Sequence, residues 1–196
     1  MSSRRILIAY ATSYGQTAKI AGRMADLLMA KGEAVTLVNA RKHPRDFHAG
    51  EFDGVMIGGS IIGGRHDRAL VRFVREHRAV LNALPSAFFS VSGSAASRRE
   101  TERAKARQFV DQFLDTTGWH PALTETIGGA MAYTKYNPFL RWFIKRAAKA
   151  SGSPTDTSCD QEMTDWSQVE RFVTTFVETV PAPVEMPRSP REVAVT

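Results

Sequence analysis

Residues 5–21 read Arg5-Ile-Leu-Ile-Ala-Tyr-Ala-Thr-Ser-Tyr-Gly-Gln-Thr-Ala-Lys-Ile-Ala21, and the pattern changes period half-way. Arg5 to Tyr10 is a short, nearly continuous apolar run, as a strand buried on both faces requires. From Thr17 the apolar residues Ile20, Met24, Leu27 and Leu28 recur at helical spacing while Lys19, Arg23 and Asp26 fall elsewhere, so an amphipathic helix follows. Between them lies the hydroxyl-rich turn Thr12-Ser13-Tyr14-Gly15-Gln16-Thr17. Backbone N–H groups of Ser13 to Thr17 can converge at the helix N-terminus, Gly15 permits close approach, and the hydroxyls of Thr12 and Thr17 add donors, which together make an anion site. The turn has no lysine and no GxGxxG spacing, so it is neither a nucleoside-triphosphate P-loop nor a dinucleotide fingerprint. An uncharged set of donors suits a phosphomonoester, although the same hydroxyls would also serve as plain helix caps.

The alternation continues outward. Strands are predicted over 34–38, over 54–58 ending in Gly58-Gly59-Ser60, over 86–91 ending in Ser92-Gly93-Ser94, and over 123–129. Helices are predicted over 67–80, over 100–116, and from Asp165 with Thr164 as the N-cap, while residues 40–52 read as a loop or short helix. Five strands separated by helices define an α/β domain with a parallel sheet covered on both faces. In such sheets ligands bind at the carboxyl ends of the strands, so the loops after the first, third, fourth and fifth strands are the ones to read.

A length of 196 residues, 43% of them apolar and 23% charged, fits one globular domain over about 1–180. Residues 181–196 hold four of the nine prolines and are expected to form a disordered tail. No apolar run approaches the ~18 residues of a membrane span, and Ile6 to Ala9 is too short for a signal peptide. The one cysteine, Cys159, excludes an internal disulfide and a multi-cysteine metal site. These features lead to the expectation of a cytoplasmic protein without a metal.

The net charge of +6 has a local origin. The stretch from Tyr133 to Lys149 carries Lys135, Arg141, Lys145, Arg146 and Lys149 and no acid, so it supplies all but one unit of the excess. It also carries Tyr133, Tyr136, Phe139, Trp142 and Phe143. As a helix it would group Phe139, Leu140, Phe143, Ile144 and Ala147 on one side and Arg141, Lys145 and Lys149 on the other, with Trp142 and Arg146 at the border. That pattern suits an interfacial helix at an anionic membrane, or a bulky apolar ligand bearing carboxylates. A core-packed helix with a solvated basic face is the plainer alternative. No nucleic-acid motif accompanies the charge, so no nucleic-acid partner is expected.

Tyr10, Thr12, Gly15, Thr17 and Ala21 resemble the flavodoxin signature, in which this loop holds the phosphate of FMN. The resemblance implies a three-layer flavodoxin-like sandwich with a five-stranded parallel sheet in the order 2-1-3-4-5. It also implies FMN contacts from Thr12, Ser13, Tyr14, Gly15, Gln16 and Thr17, and from loops carrying Ser60, Ile61, Gly63, Ser92, Gly93 and Ser94. The chain to about Val180 is similar to the quinone-dependent protoporphyrinogen dehydrogenases, flavodoxin-like enzymes with a long insertion, here at about 132–163. The matching stretches are 85–91, 127–133, the basic-aromatic insertion, Gly152 with Thr155-Asp156-Thr157, and Thr164-Asp165-Trp166. Ile62 and Gly63 stand where that family has an aromatic and a basic residue.

The resemblance implies oxidation of protoporphyrinogen IX in three two-electron steps, with FMN N5 carrying the chemistry and electrons passing to menaquinone or ubiquinone. It further implies peripheral association with the inner face of the cell membrane. Thr155, Asp156 and Thr157 would join the cofactor site. Tyr136, Phe139, Arg141, Trp142, Lys145, Arg146 and Lys149 would meet substrate or membrane. No side chain is required as a base; Arg65 and His66 are the nearest by position. An FMN-dependent NAD(P)H:quinone oxidoreductase and a flavodoxin-type electron carrier are the competing readings, and a homo-oligomer is compatible with either.

Overall fold

The segment SAFFSVS, Ser86–Ser92, is buried at every position and forms the strand (β5) on which both helical layers pack. In this computed structural model, which describes residues 3–43, 48–131 and 161–182, it is joined by β1 (Arg5–Ala11), β2 (Ala34–Asn39), β3 (Gly54–Ile62) and β6 (Leu123–Gly128). These five strands are parallel and lie in the order β2-β1-β3-β5-β6. Their spatial sequence is the expected one. The difference is a sixth strand, β4 (Arg65–His66), which pairs antiparallel with the end of β3 and shifts the numbering of the last two.

Helices α1 (Gln16–Ala30) and α4 (Trp166–Thr179) cover one face, where Ile20, Met24, Leu28, Val169, Phe172 and Phe176 meet Ile6, Ile8, Met56 and Phe89. Helices α2 (Arg68–Ala83) and α3 (Glu100–Thr117) cover the other, where Leu70, Phe73, Phe113 and Trp119 meet Leu7, Ile57 and Phe88. Alternate residues of β1, β3 and β5 serve opposite cores, which is why those strands are apolar without alternation.

Two boundaries differ from the sequence reading for physical reasons. β3 does not stop at Gly58. It runs to Ile62 because β4 folds back on it, pairing Ile61 with His66 and Ile62 with Arg65. The connection is the two-residue turn Gly63-Gly64, both at positive φ (57° and 75°), as a type I′ hairpin demands. At α4 the N-cap is Asp165, not Thr164: its carboxylate accepts from the N–H groups of Ser167 (2.9 Å) and Gln168 (3.2 Å). Thr164 is engaged elsewhere, donating its hydroxyl to the Gly128 carbonyl at 2.7 Å.

Strands β7 (Ala130–Met131) and β8 (Gln161–Glu162) pair antiparallel, so the chain between them leaves and re-enters the domain side by side. At the far edge of the sheet, Arg4 donates to Glu33 and to the carbonyls of Val177 and Val180, the last two at 3.0 Å. The hydrogen bond from Arg4 holds the Glu33 carboxyl below its ordinary range, against the opposing effect of partial burial.

Asp165→Ala removes the cap of α4, and a loss of about 1 kcal/mol in unfolding free energy is expected by urea denaturation. Thr164→Ala leaves that helix terminus capped, so the ellipticity of the two variants at intermediate urea separates the roles.

Candidate functional site

Ala11 pairs with Gly59, Gly59 with Ser90, and Ser90 with Thr126, so these four residues mark one row across the sheet near its carboxyl edge. β1 ends in that row. β3 continues three residues further to Ile62 and β5 two further to Ser92. The turn after β1 therefore lies at the foot of a step whose wall is the β3–β4 hairpin and the loop after β5.

In the turn, Gly15 adopts φ 101°, a left-handed conformation open to glycine, and immediately precedes α1. Its N–H is directed back to Thr12 Oγ1 at 2.9 Å. This corrects the expectation that every N–H from Ser13 to Thr17 is available to a ligand, since Gly15 N–H rigidifies the turn instead. The Lys19 N–H bonds the Gly15 carbonyl at 3.0 Å and starts the helix. Thr17 is 1% exposed, and its hydroxyl has no hydrogen-bond partner among the described residues. A buried, unsatisfied hydroxyl at a helix N-terminus is costly unless a ligand completes it. The first turn of α1 carries no acid. These donors fit a phosphomonoester.

Gln16 ties the turn to the returning end of the insertion. Its amide donates to Thr164 Oγ1 at 2.8 Å and to Glu162 at 3.1 Å. Lys19 donates to Glu162 at 2.6 Å, and that bond keeps the Glu162 carboxyl below its ordinary range. The described residues on either side of the 132–160 segment thus meet at the carboxyl edge beside this turn.

Ser60 and Ile61 lie within the extended end of β3, and Gly63 in the hairpin turn, where a loop is predicted. Ser92 ends β5 and accepts the Ala95 N–H at 3.2 Å, which sets the short turn at Ser94–Ala96 after Gly93. Ser60, Ser92 and the turn at Thr12 therefore share one edge. Arg65 is exposed, but His66 is not at the loop surface expected of it. It packs against Phe88 and Phe113 and contacts Ser90 Oγ through Nε2 at 3.0 Å. Burial pushes its pKa down to about 4. That environment makes it a neutral strut between hairpin and β5, and a poor base. The expected site residues Tyr136, Phe139, Arg141, Trp142, Lys145, Arg146, Lys149, Thr155, Asp156 and Thr157 lie outside the described residues.

One contact escapes the sequence reading. Arg41 donates to Ser13 Oγ at 3.1 Å and to the Asp67 carboxylate, through Nε at 2.9 Å and also through Nη2. Arg41 follows β2, whose loop the sequence does not single out. The strand order supplies the signal: β2 is the neighbour of β1, with Asn39 opposite Tyr10, so its carboxyl end must lie beside the phosphate turn.

A flavodoxin domain family matches residues 7–158. Oxidised flavodoxin 1 from Bacillus cereus superposes with a TM-score of 0.55 at 13% identity, over 89% of this chain and 97% of its own. A flavodoxin variant from Pseudomonas aeruginosa gives 0.54 at 12%, over 90% and 98%. The chain is a flavodoxin-fold protein. The protoporphyrinogen IX dehydrogenase (quinone) of Escherichia coli K12 is 34% identical over 168 residues, 86% of this chain and 92% of the relative. The Leishmania major protein of the same name is 30% identical over 189 residues, 96% and 80%. The chain belongs to the quinone-dependent protoporphyrinogen IX dehydrogenase family, and so to the oxidoreductases.

His66 supplies a pH signature of the folded site. The unfolded chain takes up a proton near pH 6.5 that the native one refuses until about pH 4. Stability therefore falls as the pH drops through that window, with the full loss reached below it. Urea midpoints measured across the window should decline less steeply in His66→Asn than in the parent.

Proposed function

We propose that the protein oxidises protoporphyrinogen IX to protoporphyrin IX with FMN seated at the carboxyl edge, and passes the electrons to menaquinone or ubiquinone. The observation that carries this reading is identity to relatives of that name over 92% of their length in the Escherichia coli case, together with an intact neutral phosphate turn. When bound, FMN supplies the two-electron redox chemistry. The chain's own residues bind and orient. Thr17 hydroxyl and the α1 N-terminus take the phosphate, and Thr12 keeps the turn in shape. The β3–β4 hairpin and the loop after β5 flank the ring, and Thr155, Asp156 and Thr157 complete the cradle. His66 braces the hairpin without exchanging protons. Proton release from the pyrroles is left to solvent.

The residues flanking the basic-aromatic stretch, Ala130–Met131 and Gln161–Glu162, pair beside this edge. We assign Tyr136, Phe139, Arg141, Trp142, Lys145, Arg146 and Lys149 to the porphyrin propionates or to anionic lipid, in keeping with the need for a quinone dissolved in a membrane. Among the described residues no helix is long and apolar enough to cross a membrane, so peripheral contact at the inner face is the arrangement proposed.

The deciding assay is purification with FMN followed by anaerobic turnover of protoporphyrinogen IX with a quinone acceptor. Quinone-dependent porphyrin fluorescence is expected. Flavin reduced only by NAD(P)H would overturn the reading in favour of a quinone reductase. Independently, Thr17→Val keeps the shape but removes the hydroxyl. A hydrogen bond to a charged group contributes about 1.5–3 kcal/mol, so FMN affinity should fall about tenfold or more while riboflavin affinity holds, as read by flavin fluorescence titration.

A further inference from the structure

The phosphate turn itself carries no charge, yet a phosphomonoester approaches it as a dianion. Two acids lie about it: Glu162, held by Gln16 and Lys19, and Asp67, which caps α2 by accepting the Ala69 N–H at 2.8 Å. Left alone, the Asp67 carboxylate would repel the ligand. Arg41 lies between it and the turn. Its guanidinium spans from Asp67 to Ser13 Oγ. Its position is fixed by the turn after β2: the Arg41 N–H bonds Asn39 Oδ1 at 3.0 Å, the Lys42 N–H bonds the Asn39 carbonyl at 2.8 Å, and the Ala40 N–H bonds the Tyr10 carbonyl at 2.8 Å. The cation is thus registered against β1 by backbone geometry and against α2 by an ion pair. The Arg41 side chain is still 42% exposed, against 16% for Asp67.

We propose that Arg41 is a positioning residue for the flavin phosphate: held on Asp67 and Ser13, it supplies the positive charge that the Thr12–Thr17 turn lacks and makes the site select a phosphorylated flavin over an unphosphorylated one. The inference rests on the phosphate-turn reading and deepens it. Guanidinium forks match phosphate oxygens as they match carboxylates, so one group can serve Asp67 and a phosphate oxygen together. The burial of Asp67 works to raise its pKa, but the hydrogen bonds from Arg41 and the Ala69 N–H more than offset it, and the net direction is down. The Asp67 carboxylate is therefore ionised near neutral pH.

The test is titration of FMN and of riboflavin into the full chain, followed by flavin fluorescence, at low and at high salt. In Arg41→Ala, FMN affinity at low salt should fall about tenfold, as expected for one partly exposed charge-assisted contact. Riboflavin affinity should hold, and the salt dependence of FMN binding should flatten. Arg41→Lys should recover part of the loss, because the charge returns without the fork. If Arg41→Ala folds poorly, Ser13→Ala removes one of the tethers with the cation retained, and a smaller loss confined to FMN is expected. Equal losses for both flavins, or no loss for FMN, overturn the assignment of Arg41. A parent protein that binds FMN no better than riboflavin overturns the phosphate-turn reading itself, a result distinguishable because it precedes any substitution.

Discussion

Burial of the central strands on both faces is the constraint from which the remaining architecture follows. Each residue of β1, β3 and β5 must find a helix to pack against, whichever way it points. Two helical layers are therefore obligatory, and strands joined through helices run parallel. Parallel strands send all their outgoing turns to one edge. The catalytic possibilities of the chain are concentrated there by topology before any particular side chain is considered.

The edge combines two kinds of interaction. Thr12 and Thr17 offer neutral hydroxyls in a turn that the Gly15 N–H shapes, and the Thr17 hydroxyl has no partner among the described residues. Electrostatics arrive from outside the turn, through Arg41 and its partner Asp67. Such a division lets the turn keep a tight, uncharged geometry while attraction is supplied from a neighbouring strand. His66 illustrates the opposite economy. A residue type associated with proton transfer is desolvated between two phenylalanines and used for packing and one hydrogen bond to Ser90.

The strands and helices were legible because burial leaves a direct mark on periodicity: the strand–turn–helix at 5–21 and the apolar run at 86–91 could scarcely be read otherwise. The phosphate turn was legible because its chemistry is local in sequence. What the sequence did not disclose depends on contacts between distant segments. The β3–β4 hairpin rests on the pairing of Ile61 with His66, which the glycines at 63 and 64 do not by themselves declare. Asp165 displaced Thr164 as the cap because Gly128 and Gln16 claim the threonine hydroxyl, a competition 36 and 148 residues away in the chain. Arg41 joins Ser13 across 28 residues and Asp67 across 26, and nothing in its neighbours along the chain marks it.

The clamp made by Arg4 has a consequence for how the molecule can be handled. Because that side chain bonds the carbonyls of both Val177 and Val180, the start of β1 and the end of α4 meet at a single point. That point lies at the amino edge of the sheet, where Asp53 N–H also bonds the Arg5 carbonyl. A label or tether placed at Ser3 or Ala182, the described residues beside that point, would therefore hang from the side opposite the turn after β1. An array immobilised through those positions would present every copy in one orientation, with the Thr12–Thr17 turn facing the bathing solution.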